Sequence, residues 1–98
     1  MPQHRHNTGE PILDLHGLSA REALRRVDSF LRAEQARGTI SVRILTGHGS
    51  GVLKQAVGAL LQGHASVASV TIPLQGDAAR LVVLRPPSHG ARGSTSAG

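Results

Sequence analysis

Apolar positions along the chain fall into short blocks whose spacing changes from one block to the next. Leu13, Asp14, Leu15 and His16 alternate apolar and polar, as a strand with one buried face does, and Gly17 ends the run. From Ala20 the repeat lengthens, with Ala23, Leu24, Val27, Phe30 and Leu31 recurring at helical intervals. Ser19 followed by Glu22 has the spacing of a capping box, and Gly38 supplies a stop. Arg21, Arg25, Asp28 and Arg32 line the other side of this helix in a mixed stripe that reads as a solvated face. Ile40 to Leu45 is a β-branched run that fits a buried strand. Val52, Leu53, Ala56, Val57, Leu60 and Leu61 then form a second amphipathic helix ending near Gly63. Val67 to Ile72 and Arg80 to Leu84 read as two more strands, and the short Pro-Leu-Gln-Gly-Asp-Ala connection between them suggests a hairpin-like return.

The order is therefore β-α-β-α-β-β, an α/β chain. Two right-handed crossovers that progress in one direction place both helices on one face of a four-stranded sheet, giving an α+β sandwich of two layers. The first two strands then run the same way, so their carboxyl ends share one edge, where open α/β sheets bind ligands. Residues 1–10 and 86–98 are polar, carry Pro, Gly and Ser without periodicity, and are expected to be disordered around a single domain over 11–85.

Composition narrows the function. Eleven Lys and Arg against six acids give a formal charge of +5 over 98 residues, which favours an anionic partner. No cysteine is present, which removes disulfides, thiolate metal sites and a cysteine nucleophile. The apolar runs are far shorter than the roughly 20 residues a membrane helix needs, and residues 1–10 lack a signal peptide's apolar region. A soluble, cytoplasmic protein is the expectation. Phe30 is the only aromatic residue, so there is no stacking platform for bases, and nucleic acid would be contacted mainly through phosphate.

Two polar segments carry the candidate chemistry. Side chains at i and i+2 of an extended chain share a face, so Asp14 and His16 project together where the first strand stops. The acid either caps backbone N–H groups in a structural turn, or it orients an imidazole that moves protons near neutral pH. The second segment, Gly47-His48-Gly49-Ser50-Gly51, runs directly into the second helix, whose unpaired N–H groups favour a phosphate oxygen. Lys54, a cation in that helix's first turn, makes sense if an anion sits in front of it. The spacing is neither a Walker A loop nor a dinucleotide fingerprint, and a plain turn is the alternative. His48 is a second proton donor or a further cation, whereas His4, His6, His64 and His89 read as incidental. A metal site at Asp14 and His16 is a minor alternative, because so few ligands are visible.

Leu-Asp-Leu-His-Gly at 13–17 together with Thr-Gly-His-Gly-Ser-Gly-Val-Leu-Lys at 46–54 resembles the Smr (small MutS-related) domain, as does Gly-Asp-Ala-Ala-Arg-Leu-Val-Val-Leu at 76–84. The resemblance implies a mixed sheet whose last strand is antiparallel, in a fold similar to the C-terminal domain of bacterial translation initiation factor three. It also implies an endonuclease that nicks DNA in repair and recombination or cleaves messenger RNA at stalled ribosomes, in some members as the C-terminal part of a MutS-like ATPase. Asp14 and His16 would take the catalytic positions. Gly47, His48 and Gly49 would take the substrate-facing motif, where the family often has lysine at 48. The compact Gly-Ser-Gly-Val-Leu-Lys form is similar to the version attached to the second MutS paralogue, so the chain reads as an excised C-terminal domain or as a stand-alone protein. No cofactor is evident, although cleavage of DNA by water would call for a divalent metal. The runner-up function is a non-catalytic module that binds DNA or the ribosome within a larger MutS-like chain.

Overall fold

The computed structural model describes residues 10–47, 51–74, 76 and 78–87. The two end segments expected to be disordered lie, but for a few residues, outside the described residues, as do His48, Gly49 and Ser50 of the glycine loop.

Six elements follow in the expected order: β1 (Ile12–Asp14), α1 (Ala20–Ala36), β2 (Ser41–Leu45), α2 (Gly51–Gly63), β3 (Val67–Thr71) and β4 (Ala79–Leu84). The boundaries of α1 follow from local chemistry. The Ser19 hydroxyl accepts the Glu22 N–H and satisfies an orphan donor of the first turn. At the other end Gly38 takes φ +84°, a conformation that costs a glycine little. Its N–H donates to the Gln35 carbonyl and that of Thr39 to the Glu34 carbonyl, which closes the helix in a Schellman motif.

The sheet order is β1-β2-β4-β3. β1 and β2 are parallel, with Ile12 opposite Arg43 and Asp14 opposite Leu45, whereas β4 is antiparallel to both of its neighbours. β3 and β4 thus form the expected hairpin. The chain returns from it into the middle of the sheet, where β4 pairs with β2 on one side and β3 on the other, leaving β1 and β3 as the edge strands.

Val42, Ile44, Val82 and Leu84 are buried on one sheet face. They join Ala23, Val27 and Leu31 of α1 and Leu53, Val57 and Leu61 of α2 in a single core. The helices also pack on each other, so both lie on that face and the sandwich has two layers. Leu15 lies just beyond β1, fully buried in this core, with its N–H bonded to the Leu45 carbonyl.

Two sequence expectations need correction. Ile40 precedes β2 rather than opening it and is 75% exposed; its carbonyl accepts the Leu84 N–H, but its side chain clears the core. Val52 is 69% exposed, because the buried stripe of α2 runs Leu53, Val57, Leu61 at intervals of four, and the preceding position falls off that stripe.

Candidate functional site

Asp14 ends β1 and His16 follows Leu15 into the turn at Gly17. Burial of Leu15 on the helix side forces its two neighbours to the opposite side, where the side chains of His16 and Asp14 are 77% and 51% exposed. One carboxylate oxygen, Asp14 Oδ1, accepts the His16 backbone N–H at 3.0 Å and stands 2.9 Å from His16 Nδ1. The backbone bond first, and the ring bond second, hold the Asp14 carboxyl below its ordinary value. An ionised carboxylate can only accept, so Nδ1 carries the hydrogen, and the ring's other nitrogen, Nε2, is left without a partner among the described residues. The capping role and the orienting role that the sequence left as alternatives are both filled by this single oxygen.

The glycine segment meets this pair. Gly47 adopts φ +84°, and a Cβ placed on it would stand 3.6 Å from the Cβ of His16. Thr46, almost fully buried, anchors the turn. Its N–H donates to the Ala78 carbonyl at 2.7 Å and its hydroxyl at 3.1 Å, and the Gly47 N–H reaches the same oxygen at 3.1 Å. The exit of β2 is thereby tied to the residue before β4. The sequence motifs included Thr46 and Ala78 but not the link between them, because it joins positions 32 apart and only the β2–β4 pairing brings them together.

Of the phosphate-binding candidates, Gly47 lies beside His16, Gly51 opens α2, and Lys54 follows in its first turns, half-buried. Among the described residues, no three His, Asp or Glu side chains converge as a metal-ligand set. No helix among them is long and apolar enough to cross a membrane.

His64 is the histidine that sequence reading misjudged. Its side chain is only 7% exposed, with Nε2 2.7 Å from Asp28 Oδ1 and Nδ1 accepting the Ser66 N–H at 3.1 Å. Bonding to His64, and then to Arg32, holds the Asp28 carboxyl below its ordinary value. Gln35 extends the network by accepting the Ser66 hydroxyl and donating to the Arg85 and Pro86 carbonyls. These groups border an open cleft of about 620 Å³.

Asp14, His16 and Gly47 thus stand together at one rim of a β-α-β-α-β-β sandwich, and residues 13–95 match the family model of the Smr domain. The chain belongs to the Smr domain family. Its fold agrees with the Smr domain of Thermus thermophilus MutS2 at a TM-score of 0.74 and 37% identity, over 78% of this chain and 99% of that one. YdaL, a stand-alone small MutS-related protein from Escherichia coli, aligns at a TM-score of 0.70 and 25% identity, over 76% of this Smr domain and 63% of YdaL. In sequence, the domain is 38% identical over 65 residues to a Brevibacillus brevis protein named endonuclease MutS2, covering 66% of this chain and 8% of that protein. The namesake from Thermomicrobium roseum is 42% identical over 60 residues, 61% of this chain and 8% of that one. This Smr domain therefore spans less than a tenth of the length of these curated relatives.

Proposed function

We propose that this Smr domain is a phosphodiester-cleaving nucleic-acid module in which His16 moves the proton and Asp14 holds its ring. The observation that carries the reading is the juxtaposition of His16 and Gly47. It sets an outward-facing imidazole nitrogen beside the turn that leads into the amino terminus of α2. Gly47, whose own N–H is held by the Ala78 carbonyl, would set the turn, and the N–H groups of residues 48–51 with Lys54 would supply donors and a cation to the phosphate. The names of the MutS2 relatives agree with a nuclease role.

RNA is the easier substrate. His16 Nε2 takes the proton of a 2′-hydroxyl, the 2′ oxygen attacks phosphorus, and the bond to the 5′ oxygen breaks to leave a 2′,3′-cyclic phosphate. The departing 5′ oxygen takes a proton from His48 or from water. On DNA no neighbouring hydroxyl exists, so water must attack, and a divalent metal is the usual activator. The physiological settings of this reading are mRNA cleavage at stalled ribosomes and the nicking of DNA in repair, in the cytoplasm, within a larger MutS-like chain.

The test is cleavage of matched single-stranded RNA and branched DNA by the parent and by His16→Ala, with and without a chelator. The parent should cut, and His16→Ala should bind equally but cut about 10²–10⁴-fold more slowly. Cleavage unchanged by the substitution, or none by the parent on either substrate, defeats the proposal; in the second case salt-sensitive binding would leave a non-catalytic DNA- or ribosome-binding module.

A further inference from the structure

The outer surface of α1 carries charges placed against the helix's own interests. Arg21, Arg25 and Arg26 all fall in its first two turns, where the positive end of the macrodipole disfavours cations, and its last turn has no basic residue. Arg21 and Arg25 are four apart and repel each other. All three are exposed, and among the described residues none makes an ion pair or side-chain hydrogen bond, whereas Arg32 is held by Asp28 and Arg43 by Glu10. Glu22, the acid beside them, borders a shallow depression of about 280 Å³ with Arg25, Arg26 and Ser29, without closing an ion pair.

The stripe that looked mixed in sequence is divided by the tertiary structure. Its acid, Asp28, is taken up by His64 and Arg32, which leaves Arg21 and Arg25 in the half nearer the His16 rim, and Arg26 beside that stripe adds a third guanidinium group. That half leaves the rim shortly after His16. Arg21 is five residues further on, so its Cα is within about 18 Å of that of His16. At the roughly 3.4 Å per nucleotide of a stacked strand this distance is at most about five nucleotides, and an extended single strand covers it in fewer.

We infer that Arg21, Arg25 and Arg26 form a phosphate-gripping rail that holds the strand a few nucleotides from the bond presented to His16. This rests on the nucleic-acid reading above and adds to it the surface that supplies affinity. Guanidinium forks suit phosphate oxygens, and the absence of intramolecular partners spares the cost of breaking ion pairs on binding.

The experiment measures affinity for a 12-nucleotide single strand, as RNA and as DNA, between 50 and 200 mM salt, roughly the range over which counterion release is read. The parent is compared with R21Q/R25Q/R26Q, which keeps helix propensity, and with Arg37→Gln at the far end of the same helix. Loss of three contacts should make the slope of log affinity against log salt shallower by about 2 on both strands. Arg37→Gln should keep the parent slope. A triple variant with the parent slope, or an Arg37→Gln slope that falls as far as the triple's, overturns the inference, as does a loss confined to RNA, which would point to the 2′-hydroxyl. Should the triple variant fail to fold by circular dichroism, the single variants Arg21→Gln, Arg25→Gln and Arg26→Gln decide the matter, each expected to make the slope shallower by about 0.7 and each with the parent slope counting against the inference. Cleavage read in the same samples separates the two proposals: a rail that survives with no cleavage defeats the nuclease reading alone, and normal cleavage with an unchanged slope defeats the rail alone.

Discussion

Among the described residues the same acid–imidazole pair occurs twice, in opposite settings. At the carboxyl rim of β1, His16 gives one nitrogen to Asp14 and leaves the other open to solvent. At the far end of the helices, His64 gives Nε2 to Asp28 and Nδ1 to the Ser66 N–H, in a nearly closed setting. A ring with both nitrogens engaged has nothing left to exchange with a substrate. What separates a proton carrier from a structural clasp is the second nitrogen, and that depends on whether the chain turns away from the ring or folds back over it.

Exchanging the two rings breaks this comparison most directly. His16→Ala should cut activity by about 10²–10⁴-fold while leaving the thermal midpoint where it was, since an exposed side chain packs against little. His64→Ala should do the reverse. It leaves the Ser66 N–H without its acceptor and costs about 1–3 kcal/mol in denaturant unfolding, with cleavage per folded molecule retained. A His64→Ala protein that is as stable as the parent but inactive would overturn the assignment of roles. Gly47→Ala should destabilise by about 1–2 kcal/mol in denaturant unfolding, because a side chain is forced into left-handed backbone, while the added Cβ itself would stand in ordinary contact with His16. Thr46→Val removes one of three hydrogen bonds to the Ala78 carbonyl and should cost about 1 kcal/mol.

The smallest change is expected from pH. Both aspartates titrate below their ordinary value of 3.8 in the folded protein, so the stability they contribute is fully present above that value and is lost as pH falls through the lower folded values. Between pH 8 and 5 these two carboxylates should contribute no change. Carboxyl carbon shifts followed by NMR check this, and a midpoint above 3.8 for either group would contradict the hydrogen bonding described.

Much of the candidate site was legible because its parts are local or follow from strand direction. Asp14 and His16 are two residues apart on an extended chain, so a shared face was certain once Leu15 was recognised as core. Gly47 came to the same rim because β1 and β2 are parallel, which a helical crossover requires. The Asp28–His64 bond joins residues 36 apart, and neither neighbourhood carries a signal of the other.

The amino-acid sequence by itself determined the six elements, the start and stop of α1, the two-layer arrangement and the pairing of Asp14 with His16. All of these depend on periodicity, capping chemistry or short separations that act within one segment. Only the tertiary structure decided that β4 enters between β2 and β3, that Val52 and Ile40 face solvent, that Ala78 anchors the glycine turn, and that the acid in the arginine stripe is consumed by His64. Each of these depends on which distant surfaces meet, and that is set by packing the whole core at once rather than by any one stretch of chain.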